Sequence, residues 1–176
     1  SFYLFRRTGS PILVVRGKDG MVRAFYNTCR HRGGPLVKEC SGKIQGLVCG
    51  YHGWTYSLDG QLVGLRDKRD FVGLELADYP LVPVRCEQLG NWIFINEDPG
   101  AEPLLKHLGP IPGHLEQIQP DQVRLVNRQS YPVQCNIKVL MDAFLEVYHL
   151  KSIHQGTVDR FLDYRGTSIT LWPHGH

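Results

Sequence analysis

The chain has 176 residues, 42% hydrophobic and 21% charged, with a formal net charge of +3. That is room for one domain or a small domain plus part of another, and the slight charge excludes a basic surface for nucleic acid or membrane. No apolar run approaches the ~20 residues of a membrane span, and Ser1 to Arg7 carry no signal-peptide core, so a cytoplasmic protein is expected.

Ile12 to Arg16 reads as a strand, Gly17-Lys18-Asp19-Gly20 as a turn, and Val22 to Tyr26 as the hairpin partner. Lys43 to Cys49 and Trp54 to Leu58 look like two more short strands, with Asp59-Gly60 as the next tight turn. Val84 to Leu89, Gly90-Asn91 and Trp92 to Asn96 form a strong hairpin signal. Residues 1–98 are thus expected to be one small all-β domain. Residues 99–122, rich in proline, form a connector with one short helix near Leu104 to Leu108. A second unit occupies 123–176: strand-like residues from Val123 to Tyr131, a helix from about Asn136 to Leu150, and a strand from Thr167 to Trp172. The helix rests on Val139, Leu140, Ala143, Phe144, Val147 and Leu150, which recur every three or four residues.

Five cysteines, an odd number, argue against a disulfide scaffold and for a reducing compartment. Cys40, Cys86 and Cys135 sit in ordinary surroundings. Cys29-x-His31 and Cys49-x2-His52 do not: each pair lies on a loop with glycine beside it, Gly33-Gly34 in one and Gly50 and Gly53 in the other. Such glycines let backbone N–H groups approach a sulfur-rich centre. Two Cys and two His could also bind zinc, but a zinc finger places its cysteines in one loop and its histidines in another. Here each loop contributes one of each, which suits two irons bridged by sulfides.

Cys29-Arg30-His31-Arg32-Gly33-Gly34 with Cys49-Gly50-Tyr51-His52-Gly53-Trp54-Thr55-Tyr56 resembles the Rieske signature of the ring-hydroxylating oxygenase family. Rieske subunits of respiratory cytochrome complexes carry an extra, disulfide-paired cysteine in each loop; Gly34 and Tyr51 stand in those places here. The resemblance implies that Cys29, His31, Cys49 and His52 bind a [2Fe–2S] cluster. Two neutral imidazoles in place of thiolates bring the oxidised cluster from about −2 to about zero, which makes reduction easier.

Downstream, Asp142-Ala143-Phe144-Leu145-Glu146-Val147-Tyr148-His149 followed by His154 resembles the same family's mononuclear-iron motif. The match implies that His149 and His154 ligate a catalytic Fe(II), that Glu146 is a bridging carboxylate for electron transfer, and that the third ligand is a carboxylate beyond the chain end. Asp159 and Asp163 are nearer, but nothing in the pattern selects either. On an ideal helix a five-residue step sets His154 about 140° from His149, so both reach one metal only if the helix is distorted or ends near Leu150–Ser152. His107, His114, His174 and His176 read as surface or loop residues.

The family implies an all-β Rieske domain of small antiparallel sheets with two cluster-binding loops, then the truncated start of an α+β helix-grip-type catalytic domain. It also implies a terminal oxygenase, large subunit. Electrons from a reductase or ferredoxin pass through the cluster to an iron that activates O₂ and hydroxylates a small aromatic or apolar ring, as in aromatic hydrocarbon catabolism. The implied assembly is a homotrimer, or α3β3 with a small second subunit. On this reading the chain is a fragment, inactive alone. The alternative is a Rieske-type ferredoxin, which would need only the residues to about 98.

Overall fold

The computed structural model describes residues 1–7 and 9–175. Contacts divide the chain into two units, one ending at Val123 and the other beginning at Arg124.

The first unit holds strands β1 (Phe2–Phe5), β2 (Ile12–Arg16), β3 (Val22–Tyr26), β4 (Ser41–Gly42), β5 (Leu47–Val48), β6 (Thr55–Tyr56), β7 (Leu62–Gly64), β8 (Pro83–Leu89) and β9 (Trp92–Asn96). A six-stranded antiparallel sheet runs in the order β4-β1-β2-β3-β8-β9, and a three-stranded one in the order β5-β6-β7. The β2–β3 hairpin pairs Leu13 with Phe25 and Val15 with Arg23, the register that alternating apolar residues around Gly17–Gly20 favour. β2 is apolar on both faces, and both are buried. Leu13 and Val15 pack with Phe25, Leu47, Trp54, Tyr56 and Leu62 in the main core, while Ile12 and Val14 join Ala24 and Val84 on the other side. Burial on two faces explains why Ile-Leu-Val-Val is continuous rather than alternating.

The hairpins β2–β3 and β8–β9 lie where the sequence places them. β1, β4 and β7 are additions, and the strands expected over Lys43–Cys49 and Trp54–Leu58 contract to Leu47–Val48 and Thr55–Tyr56. Helices α1 (Leu104–Leu108) and α2 (Ile111–Leu115) follow β9. They return to the hairpin through the Leu104 N–H, which donates to the Glu87 carboxylate at 3.0 and 3.1 Å, and through the Asn91 side-chain amide, which donates to the Asp121 and Val123 carbonyls.

The second unit departs from expectation. Neither Val123–Tyr131 nor Thr167–Trp172 is a strand, for β-prone side chains need a neighbouring ladder and none of the described residues supplies one. The expected helix of residues 136–150 breaks into α3 (Ile137–Asp142), capped by the Asn136 side chain on the Lys138 N–H, and the single turn α4 (Leu150–Ile153). Glu146 falls in the break, and its carboxylate accepts the backbone N–H groups of Tyr148 and His149, donors that a continuous helix would give to its own carbonyls.

Candidate metal centre

Two loops carry the four sequence-predicted Rieske residues, and both have one backbone figure. Between β3 and β4, the Gly33 N–H donates to the Cys29 carbonyl at 3.0 Å and the Cys29 N–H to the Gly34 carbonyl at 2.8 Å. Between β5 and β6, the Gly53 N–H donates to the Cys49 carbonyl at 2.9 Å and the Cys49 N–H to the Trp54 carbonyl at 2.8 Å. The residue four places after each cysteine has a φ of +71°, so Gly33 and Gly53 answer a need for left-handed backbone. Close approach belongs instead to Gly34, where a Cβ would stand 3.4 Å from Cys49 Sγ.

The loops bring the four side chains together. Both cysteines are buried, the His31 and His52 ring centroids are 4.6 Å apart, and the Cys49 thiol interacts with that of Cys29. Burial pushes the Cys29 thiol up and the His31 imidazolium down, so the protein alone favours a neutral thiol and a neutral imidazole. His31 Nδ1 is buried with no hydrogen-bond partner. A ring nitrogen kept dry and unpaired is costly unless it ligates a metal. Two converging thiols, two neutral imidazoles and this orphaned nitrogen fit a cluster with two sulfur and two nitrogen ligands.

Several neighbours were not identified from sequence. Tyr56 is fully buried; its oxygen accepts the Arg30 N–H at 3.0 Å and lies 3.3 Å from Cys29 Sγ. A thiolate Cys29 has no proton to give, so toward it the phenol is the donor, joining the His31 backbone N–H there. Burial, reinforced by Cys29, raises the Tyr56 phenol well above its usual range, so it stays a donor. Asn27 is the buried polar residue of the core. Its carbonyl oxygen accepts the Leu36 and Val37 N–H groups at 3.0 and 3.1 Å, while its amide donates to the Val37 carbonyl at 2.8 Å. The only sequence signal for either is a polar atom beside a cysteine loop.

In the second unit the His149 and His154 rings stand 5.3 Å apart, one at each end of α4. The expected end of the helix near Leu150–Ser152 is not what allows this: the break falls before His149, and the single turn Leu150–Ile153 lies between the two histidines. Glu146 hydrogen-bonds His149 Nδ1, and that contact foremost holds its carboxyl below the usual value. An ionised Glu146 takes the Nδ1 proton as partner and leaves Nε2 of His149 as the available ligand atom. Among the described residues, no carboxylate shares a 4.8 Å group with both imidazoles. Asp163 caps a turn through the Arg165 N–H, and Asp159 keeps Oδ1 buried without a partner. His107 and His174 are exposed, and His176 lies outside the described residues.

Known proteins carry the same two parts in the same order. The family model described as the Rieske [2Fe-2S] domain matches residues 2–80, and that of the ring hydroxylating alpha subunit (catalytic domain) matches residues 120–175. The glycine betaine monooxygenase oxygenase subunit of Chromohalobacter salexigens is 32% identical over 160 residues, 90% of this chain and 35% of that protein. The carnitine monooxygenase oxygenase subunit of Escherichia coli K12 is 34% identical over 154 residues, 86% of this chain and 41% of that one. The crystal structure of the quaternary ammonium Rieske monooxygenase CntA with L-carnitine superposes with a TM-score of 0.81 at 29% identity, covering 92% of this chain and 46% of that one. The chain spans about two fifths of the length of the curated relatives it matches. With a Rieske domain leading into the start of a ring-hydroxylating catalytic domain, it belongs to the Rieske oxygenase alpha subunits.

Proposed function

We propose that Cys29 and Cys49 bind one iron of a [2Fe–2S] cluster and His31 and His52 the other. We further propose that His149 and His154 bind a mononuclear Fe(II), and that the whole protein is the terminal component of an oxygenase. The observation that carries this is the convergence of two buried thiols and two imidazoles around the unpartnered His31 Nδ1. When bound, the cluster supplies one-electron storage and the Fe(II) supplies O₂ activation.

The chain's own residues prepare those sites. Tyr56 and the His31 backbone N–H donate toward Cys29 Sγ, which favours negative charge on the sulfur. Glu146 holds His149 in one tautomer, and as a carboxylate exposed beside His149 it is suited to bridge toward a cluster in a neighbouring chain. That arrangement, a homotrimer or α3β3 assembly fed by a reductase or ferredoxin, rests on the family resemblance. The third iron ligand is expected from the part of the relatives that this chain does not span.

A Rieske-type ferredoxin has no use for Glu146, His149 and His154, and the match of residues 120–175 to a catalytic domain favours the oxygenase. The betaine and carnitine relatives favour a quaternary ammonium substrate. Hydroxylation of an aromatic or apolar ring is the second reading, favoured by the ring-hydroxylating description of the matched domain. The test is His149→Ala in the complete oxygenase. Mononuclear iron and turnover should be lost while the Rieske absorption and electron-spin spectra persist; loss of the cluster signal would contradict two separate sites.

A further inference from the structure

The two histidines of the cluster site have unequal surroundings. The Trp54 ring lies parallel to that of His31, centroids 5.0 Å apart and planes 8° apart. Phe71 stands beside this stack and steeply inclined to both rings, at 6.4 Å and 81° to His31 and at 6.1 Å and 75° to Trp54. Tyr79 closes on Trp54 from another side at 5.7 Å. Phe71 and Tyr79 both come from the segment between β7 and β8. Its two 3₁₀ turns, Lys68–Asp70 and Leu76–Asp78, are each closed by the following residue, with the Phe71 N–H donating to the Lys68 carbonyl at 3.1 Å and the Tyr79 N–H to the Leu76 carbonyl at 3.2 Å. His52 stacks instead on Tyr51, centroids 3.8 Å apart, and Tyr51 is 64% exposed.

We infer that this strap is a third wall of the cluster site and that Phe71 is a positioning residue for His31. With Trp54 it covers two adjoining sides of the imidazole, the face by Trp54 and a flank by Phe71, and keeps water from His31 Nδ1. The inference rests on His31 and His52 being ligands. An aromatic face and a perpendicular edge leave a ring few orientations. His31 Nδ1 is buried without a polar partner, so these contacts hold that nitrogen in a dry position. Removing the Phe71 ring leaves space beside His31 that water can enter, because the imidazole offers it a polar partner. On the His52 side the exposed Tyr51 provides no such enclosure.

The test compares the complete cluster-loaded protein with Phe71→Ala, Phe71→Leu and Tyr51→Ala variants. The measurements are iron release to a chelator, the two histidine nitrogen couplings of the reduced cluster by pulsed electron-spin resonance, and deuterium near the cluster after exchange into heavy water. Loss of an outer partner typically weakens a metal site by about 10- to 100-fold, so Phe71→Ala should speed iron release by about tenfold or more. It should also admit deuterium and shift one nitrogen coupling while leaving the other. Phe71→Leu, which restores bulk, should recover most of the retention, and Tyr51→Ala should move the coupling that Phe71→Ala leaves alone. Unchanged couplings and release in Phe71→Ala would overturn the inference, as would equal shifts of both couplings, which mark general loosening. If Phe71→Ala assembles no cluster, the smaller truncation Phe71→Val decides by the same couplings: no shift in either overturns it. A wild-type cluster lacking two nitrogen ligands would instead overturn the ligand assignment itself.

Discussion

Replacing Tyr56 by Phe removes one oxygen from the core and tests the link between fold and redox poise directly. The hydroxyl lies 3.3 Å from Cys29 Sγ and accepts the Arg30 N–H; a cysteine thiolate bound to iron can only accept, so the phenol proton is then directed at the sulfur. A hydrogen bond to a charged acceptor contributes about 1.5–3 kcal/mol. An added electron raises the negative charge on the sulfur, so the bond is stronger in the reduced cluster. If the two states differ by roughly 1 kcal/mol, about half of such a bond, the potential should fall by about 40 mV in Tyr56→Phe. The assay is direct voltammetry of the cluster-loaded protein at fixed pH and salt, with circular dichroism to confirm the fold. An unchanged or higher potential would refute the assignment of the phenol proton to the sulfur.

Gly53→Ala and Gly60→Ala separate backbone strain from steric clash. At Gly53 a Cβ meets nothing nearer than 4.0 Å, so the φ of +71° alone should cost about 1–2 kcal/mol in denaturant unfolding. At Gly60, with φ +89°, a Cβ would lie 2.5 Å from the ring of the buried Phe25, and the cost should reach roughly 3 kcal/mol or more. Equal costs would remove the distinction. The Arg23 guanidinium, bonded to Asp19 at 2.7 and 3.1 Å, holds that carboxyl below its ordinary value of 3.8. Its stabilisation is therefore complete above the unfolded value and is lost as pH falls through the lower folded one. Acid unfolding should show the advantage of wild type over Asp19→Asn shrinking below about pH 4, and an advantage that grew there would reverse the sign of this argument.

Local features were legible in the sequence. The β2–β3 and β8–β9 hairpins announce themselves by alternation around short glycine turns, and the convergence of Cys29, His31, Cys49 and His52 by two short loops of recognisable spacing. β1 and β7, at four and three residues, are too short for a period to show and exist because a neighbour offers a ladder. Val123–Tyr131 has the composition of a strand without the ladder. In residues 136–150 the apolar period is present, but Glu146 competes for backbone donors that periodicity does not count. Tyr56 reaches Cys29 across 27 positions, and Phe71 reaches His31 across 40, so neither contact has a local signature.

Asn27 closes a ring of chain from residue 27 to residue 37 with a side chain in place of a second strand, and the Cys29 loop sits inside it. The amide uses both of its functions at once, accepting twice and donating once, so an aspartate of the same size could complete only the accepting half. The mouth of the site is therefore shaped by a neutral group tied to the chain itself, and the ordering entropy of that loop is met in part by three hydrogen bonds from one side chain.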